Sequence, residues 1–246
     1  MKNLILHIPH SSTKIPIEEG YCVSEEILND EILKLTDWYT NDLFGNEIDY
    51  SITAPFSRIF CDTERFSDDR QEVMAQYGMG VLYEKTDAGE PLRNLTPELR
   101  KHILDNYYWK HHNLLTDRVR LQLEQFGKAT IVDCHSFPQI PIIRALEKSD
   151  FRPDFNIGTD AFHTAPKLID LSIAFFNERG FSLGVDRPYS GSIVPMEFYQ
   201  KNNKVQSIML EINRKLYLNE PSNEKSIGYP AIKQVIQEFL EIIRNE

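Results

Sequence analysis

The sequence predicts a single α/β domain with a mostly parallel central sheet and helices on both faces. Short apolar runs rich in β-branched residues alternate with longer helical patterns along the 246 residues, an order typical of strand–helix–strand units. A composition of 41% hydrophobic and 26% charged residues indicates a packed core and excludes a disordered chain. No linker, repeat or low-complexity tract interrupts the pattern, so we predict one domain over residues 1–246.

The N-terminal half contains the first three predicted strands. They are short apolar runs at residues 4–8, 48–53 and 58–62. Ser24 is a suitable N-cap for a helix whose apolar stripe extends to Leu35, and Thr36-Asp37 caps a second helical turn that ends near Phe44. Residues 75–95 contain three glycines and little periodicity, which predicts a long loop of the kind that borders functional sites.

The C-terminal half begins with a strong helix signal. Thr96 is an N-cap, Pro97 occupies the first helical position, and the helical pattern continues to Phe126, where Gly127 ends it. The proline-rich segment 138–160 predicts a loop. Further strands are predicted at residues 129–134, 181–185 and 205–212, and further helices at residues 166–179 and 229–244.

The acidic charge of the chain limits its partners. A formal net charge of −10 without a basic stripe excludes nucleic acid, because such binding requires clustered lysine and arginine. No run of about 20 apolar residues predicts a membrane span, and the N-terminal apolar run, broken at Pro9, is too short for a signal peptide. Three cysteines without a C-x-x-C pair predict a reducing, cytoplasmic setting.

Polar residues follow four of the predicted strands, where open α/β sheets bind their ligands. These places are His10, Asp62–Arg65, Asp133–His135 and Glu211–Arg214. Two imidazoles, one carboxylate and an open position for water are the usual elements of a catalytic zinc site. Both histidines also have a structural interpretation, His10 as a turn residue and His135 as a side chain packed beneath a helix.

Glu211 is unusual because it lies within the apolar strand predicted at residues 205–212. A carboxylate in such a strand loses its hydration unless a metal, a proton or an arginine compensates. Glu211 is therefore either a general base near a metal or the partner of Arg58 or Arg214 in a buried ion pair.

Several short segments occur in a characteristic order over roughly residues 4–220. They are Pro9-His10-Ser11-Ser12, Thr36-Asp37-Trp38-Tyr39, Ser57-Arg58, Asp62-Thr63-Glu64-Arg65-Phe66, Gly78-Met79-Gly80-Val81, Asp133-Cys134-His135-Ser136, Ile157-Gly158-Thr159-Asp160, His163-Thr164, Arg187-Pro188-Tyr189-Ser190-Gly191-Ser192 and Glu211-Ile212-Asn213-Arg214. As an ordered set they resemble the N-formylglutamate amidohydrolase family. This resemblance implies a three-layer sandwich similar to zinc carboxypeptidases and to the zinc amidases of cell-wall peptides.

The resemblance also implies the composition of the catalytic site. One zinc ion is expected, bound by His10, Asp37 and His135, with Asp62 as the alternative acidic ligand. Zinc in such a site activates a water molecule and polarises the scissile carbonyl. Glu211 is the implied general base, which takes the water proton and passes it to the leaving amine.

The implied substrate is a small anionic N-acyl amino acid, N-formylglutamate, which is hydrolysed to formate and glutamate. Arg58 is predicted to stabilise the oxyanion, and other side chains to bind the substrate carboxylates, which match the planar fork of arginine. These other side chains are Arg187, Arg214, Arg65, Ser190 and His163. Two alternatives remain open: an amidase or deacylase for another N-acyl amino acid or small cell-wall peptide, and a non-catalytic ligand-binding protein of the same fold.

Overall fold

The central sheet of the computed structural model, which describes residues 3–149 and 151–246, has six strands. They are β1 (Ile5–Ile8), β2 (Tyr50–Thr53), β3 (Ala129–Phe137), β4 (Phe155–Gly158), β5 (Leu183–Val185) and β6 (Val205–Asn213). Their order across the sheet is β2-β1-β3-β6-β4-β5. Every neighbouring pair is parallel except β4 with β6, which confirms the prediction of a mostly parallel sheet. A separate two-stranded hairpin is formed by β7 (Leu218–Asn219) and β8 (Glu224–Lys225).

In the described part of the chain, six α-helices accompany the sheet. They are α1 (Glu25–Leu35), α2 (Thr40–Phe44), α3 (Pro97–Ile103), α4 (Trp109–Phe126), α5 (Pro166–Glu178) and α6 (Tyr229–Arg244). A π-helical segment, Leu104–Tyr108, joins α3 to α4, so that the single long helix predicted there is one continuous element with a local change of winding. Within the described ranges, no helix is long and apolar enough to span a membrane.

The helices cover both faces of the sheet because successive strand residues point to opposite sides. Leu4, Leu6 and Ile8 lie in the core cluster formed with α2, α5 and α6. On the opposite face Ile5 joins the cluster of α4 and residues 193–199. Each fully buried aliphatic or aromatic side chain contributes about 1.5–3 kcal/mol of transfer free energy. The two clusters confirm a three-layer arrangement.

Two short segments differ from the predictions. Residues 58–62 form a turn rather than a strand, because the backbone N–H groups of Phe60 and Cys61 both donate to the carbonyl of Ser57. Conversely, β4 lies inside the segment predicted as loop. It has only four residues, too few for a periodic pattern, and its strand geometry depends on pairing with β6.

Candidate active site

A cleft of about 410 Å³ opens at the edge of the sheet where β1, β3 and β6 end. In parallel strands the carboxyl ends meet at one edge, which is where ligands of such sheets bind. The cleft is lined by polar side chains from these strand ends and by apolar side chains from the segments around Met74, Met79 and Ile142.

His10, Asp37 and His135 converge at the base of this cleft. The Oδ2 atom of Asp37 lies 3.1 Å from Nδ1 of His135 and 3.5 Å from Nδ1 of His10. All three residues are at most 5% exposed. The backbone N–H of Asp37 donates to the carbonyl of His10 at 3.0 Å, and this bond places the segment between α1 and α2 beside the end of β1.

Asp62, the alternative acidic ligand, lies on the other side of the His10 ring. Its Oδ1 atom is 2.8 Å from Nε2 of His10, while Arg58 and the hydroxyl of Tyr83 donate to its Oδ2 atom at 2.8 and 2.9 Å. The carboxylate of Asp62 therefore orients His10. It leaves the Nδ1 atom of His10 free to face Asp37 and His135.

The other two residues of the cluster are oriented in the same way. Nε2 of His135 lies 3.0 Å from Oδ1 of Asp133, which is two residues earlier on the same face of β3. The guanidinium of Arg214 donates to Oδ1 of Asp37 at 3.1 Å. Carboxylate partners on the distal nitrogens of metal-binding histidines are a general feature of protein metal sites.

The three inward-facing atoms fit a divalent cation such as zinc. They are two imidazole nitrogens and one carboxylate oxygen, all within 4.8 Å of one another, and this donor set is typical of catalytic zinc. The buried Nδ1 atom of His10 has no hydrogen-bond partner among the described residues. An unpaired buried acceptor is costly, and a cation at this position would satisfy it.

Glu211 lies opposite His135 in the register of β3 and β6. It is 7% exposed, and its Oε2 atom has no hydrogen-bond partner among the described residues. Burial raises the pKa of Glu211 to about 8, against the lowering effect of His135. Arg58 and Arg214, the two candidates for a buried ion pair with it, donate to Asp62 and Asp37 instead.

The arginines of the site differ in the donors that they leave for a ligand. Arg58 uses Nε and Nη2 on Asp62 and Tyr83, which leaves Nη1. Arg65 lines the cleft; its buried Nε atom lies 3.7 Å from Oδ2 of Asp62, and its Nη1 atom lies 3.9 Å from Oε1 of Glu72. Because both ion pairs are longer than hydrogen bonds, the guanidinium of Arg65 is still able to donate to an anion in the cleft.

Arg214 also lines the cleft, but its donors are used within the protein. Beyond the bond to Asp37, its Nη1 atom donates to the carbonyl of Lys34 at 2.7 Å, and its Nε atom donates to Ser136 at 3.3 Å. In the structure Arg214 therefore holds Asp37, and its predicted contact with substrate stays a prediction.

The remaining predicted substrate residues differ in whether they line the cleft. Ser190 lines the cleft, whereas Arg187 is exposed and lies outside its lining. His163 is fully buried away from the cleft, with Nδ1 bonded to the carbonyl of Val205 at 2.7 Å and Nε2 accepting from the backbone of Gln200 at 2.9 Å. Neither Arg187 nor His163 is among the residues that line the cleft, and their contacts with substrate stay predictions.

The sequence pattern does not single out several polar residues of the cleft, among them Lys34, Tyr83 and Arg144. Lys34 and Arg144 add positive charge to the lining, and Tyr83 bonds to Asp62. Tyr83 and Arg144 lie in irregular segments, where no periodicity indicates the direction of a side chain. Arg144 did carry one signal, as a basic residue within an otherwise apolar stretch from residue 140 to 146.

The fold and the cleft together define an α/β protein with a buried two-histidine, one-carboxylate cluster beside a buried glutamate. The chain matches the family model of N-formylglutamate amidohydrolase over residues 2–218. Because the match covers most of its length, the chain belongs to that family, which confirms the resemblance predicted from its motifs. It is accordingly a hydrolase of linear amide bonds.

Individual relatives agree with this assignment. An N-formylglutamate deformylase from Pseudomonas putida is 25% identical over 255 aligned residues, covering 96% of this chain and 92% of that protein. The crystal structure of N-formylglutamate amidohydrolase from Ralstonia eutropha JMP134 has a TM-score of 0.86 at 23% identity, over 98% of this chain and 92% of that one. A crystal structure of a protein from Agrobacterium tumefaciens has a TM-score of 0.67 at 17% identity, with coverages of 98% and 91%. The two structures support the α/β fold.

Proposed function

We propose that this protein is a metal-dependent amidohydrolase that cleaves N-formylglutamate to formate and glutamate. The observation that carries the proposal is the orientation of His10, Asp37 and His135. Each has its outer atom bonded to a buried carboxylate or guanidinium, so that its inner atom faces the other two. Such an arrangement holds three ligands ready for one ion.

A divalent cation, for which zinc suits the donor set, supplies Lewis acidity toward a water molecule and toward the scissile carbonyl. The chain's own residues do the rest. Asp62, Asp133 and Arg214 keep the three ligands in place from behind. These three side chains also keep bulk water away from the outer side of the cluster, because they cover ligand residues that are almost fully buried.

Glu211 is the group that moves the proton. It lies across from His135, is buried, and has an unpartnered Oε2 atom. We assign to it the removal of a proton from the attacking water and the return of that proton to the departing nitrogen of glutamate. A raised pKa suits this double use, because the carboxylate then binds the proton firmly enough to carry it between the two steps.

The charged lining explains how an acidic protein holds an acidic substrate. Arg58 offers Nη1 to the developing oxyanion, and Arg65, whose side chain is 24% exposed, offers its guanidinium to a substrate carboxylate. Lys34 and Arg144 also line this cleft, as do Glu64 and Glu147. Local cations of this kind offset the unfavourable field of a chain with a net charge of −10.

Metal analysis and a formate-release assay test the proposal together. Protein purified without a chelator should carry about one equivalent of divalent metal. Removal of that metal should abolish formate release, and added zinc should restore it. Protein that holds no stoichiometric metal, or that keeps its activity after chelation, would contradict the metal-dependent mechanism.

A second candidate is a deacylase for a different N-acyl amino acid. The apolar side chains of Met74, Met79 and Ile142 in the cleft lining favour it, because they offer contacts to an uncharged acyl or amino-acid side chain. Free amine released from N-formylglutamate, N-acetylglutamate and N-formylmethionine separates the two candidates. We expect the highest kcat/KM with N-formylglutamate, and a preference for N-formylmethionine would favour the second.

A further inference from the structure

A second group of buried ionisable side chains lies behind the cluster, on the face of the sheet that packs against α4. His7 of β1 is fully buried, and its Nδ1 atom lies 2.8 Å from Oδ1 of Asp133 and 3.0 Å from Oε1 of Glu64. Its Nε2 atom lies 2.8 Å from Nε2 of His111 on α4. The catalytic scheme above uses neither His7 nor His111.

The proton positions in this group follow from its donors and acceptors. Oδ1 of Asp133 accepts from His7 Nδ1 and from His135 Nε2, and Oδ2 accepts from the backbone of Ile193 at 3.2 Å. Both imidazoles must therefore carry a proton on the nitrogen that faces Asp133. For His135, Nδ1 is then the nitrogen whose lone pair a cation would bind, after displacing the proton that Nδ1 shares with Oδ2 of Asp37 at 3.1 Å.

His7 also connects the supports of the two histidine ligands. Asp62 holds His10, and its Oδ1 atom accepts from the backbone N–H of Glu64. Glu64 in turn contacts His7, which bonds to Asp133 behind His135. The loop after Arg58 thus supports His10 directly and His135 through His7.

We propose that His7 is a positioning residue for the metal site, which rests on the proposed function in that the cluster must bind metal. Its Nδ1–H donor, held from behind by His111, fixes the carboxylate of Asp133 on Nε2 of His135. The Nδ1 lone pair of His135 is thereby aimed at the position shared with His10 and Asp37. Bulk water does not compete for these bonds, because His7 and Asp133 have 0% exposure and His111 has 3%; Oε1 of Glu64, 3.0 Å from the same Nδ1 atom, is a second acceptor for that proton.

Loss of the donor should weaken metal binding even though no ligand is changed. Without His7, Oδ1 of Asp133 loses one of its two donors, and the carboxylate is held only by His135 and by the backbone N–H of Ile193 among the described residues. Its orientation toward Nε2 of His135 is then less firmly fixed. Loss of a residue that is hydrogen-bonded to a metal ligand typically lowers metal affinity by about 10–100-fold. We expect His7→Phe to bind zinc about 10–100-fold more weakly than the wild type. His7→Asn should retain most of the affinity, because the amide nitrogen of asparagine lies near the position of Nδ1 and can donate to Asp133.

The experiment is a zinc titration against a chromophoric chelator on the full chain, with the absorption spectrum of the cobalt form as a second readout. His163→Asn is the matched control, since His163 is an equally buried histidine with two hydrogen bonds that lies outside the cleft. The control should lower the melting temperature while leaving zinc affinity and the cobalt spectrum unchanged. Unchanged affinity in folded His7→Phe, or equal losses in His7→Phe and His7→Asn, would overturn the proposal.

Two further outcomes are separated by stoichiometry. If the wild-type chain binds no metal, the proposed function fails, and the role of His7 fails with it. If the wild-type chain binds two equivalents and His7→Phe binds one, then His7, Glu64 and Asp133 themselves hold an ion, and the positioning role is wrong. One equivalent in both proteins, with weaker binding in His7→Phe, is the result that we expect.

Discussion

The Oδ2 atom of Asp37 lies 3.1 Å from the Nδ1 atom of His135, although 98 positions separate the two residues along the chain. Asp37 reaches this place through a backbone bond to His10, and His135 reaches it because β1 and β3 are parallel neighbours. Each residue is held from its far side, Asp37 by Arg214 and His135 by Asp133. The contact between Asp37 and His135 is therefore a product of the sheet order.

Glu211→Gln should separate proton transfer from metal binding. The amide keeps the size of the carboxylate but cannot accept the water proton, so kcat should fall by about 10²–10⁴. Metal content should remain that of the wild type, because Glu211 is not among the three converging ligands. Turnover is measured by formate release and metal by elemental analysis. Near-normal kcat in a metal-loaded variant would show that another group is the base.

Asp37→Asn and Asp62→Asn should distinguish the ligand from the residue that orients it. Asp37 faces both histidine Nδ1 atoms, whereas Asp62 contacts the opposite nitrogen of His10. We expect Asp37→Asn to lose most metal binding and Asp62→Asn to lose about 10–100-fold in affinity. Chelator competition measures both constants. The reverse ranking would identify Asp62 as the ligand.

Metal affinity should decrease as the pH is lowered. Burial lowers the pKa of His135, but the carboxylates of Asp133 and Asp37 raise it well above its usual value. The metal-free protein then holds a proton that an incoming cation must displace, so each displaced proton weakens binding by about tenfold per pH unit below that pKa. Calorimetry in two buffers of different ionisation enthalpy measures the released protons. Binding without proton release would contradict the expectation.

Arg65→Met should raise KM for N-formylglutamate more than it lowers kcat. A charge-assisted hydrogen bond to a carboxylate contributes about 1.5–3 kcal/mol, which corresponds to about 10–100-fold in KM. Arg70→Met is the control, because Arg70 is exposed and bonded to Asp68 in the same region of the chain. Steady-state kinetics on both variants make the comparison. Equal KM values in the two variants would remove Arg65 from the substrate site.

Arg244→Met should destabilise the fold without changing any residue that lines the cleft. Arg244 of α6 is bonded to the fully buried Asp49, which also accepts from the backbone of Leu4 next to β1. Removing one partner of a buried pair leaves an uncompensated charge and costs about 3–5 kcal/mol. Arg179→Met breaks a solvent-exposed pair with Glu238 and should change the free energy of unfolding much less than Arg244→Met, because water and salt screen exposed charges. Denaturant unfolding of both variants gives the two free energies.

Prediction from the sequence was most successful where a pattern is local. Runs and stripes of apolar residues predict the strands around Leu6 and Ile131 and the helix α6. In these elements the spacing of the apolar residues shows which face is buried. Prediction failed at residues 58–62 and at β4. The first segment is closed into a turn by the carbonyl of Ser57, and the second is a strand only because β6 pairs with it.

For the cleft, too, some features follow from local sequence and others only from the tertiary structure. The sequence alone determined which residue types lie at the ends of the strands, and hence that His10, His135 and Glu211 share one edge of a parallel sheet. Only the tertiary structure decided how each functional atom is used. It places Asp37 and Asp62 on opposite nitrogens of His10, occupies Arg214 with Asp37, and keeps Arg187 and His163 away from the cleft. The reason is physical: spacing determines the face on which a residue lies, whereas hydrogen-bond partners from distant segments determine the direction in which its polar atoms point.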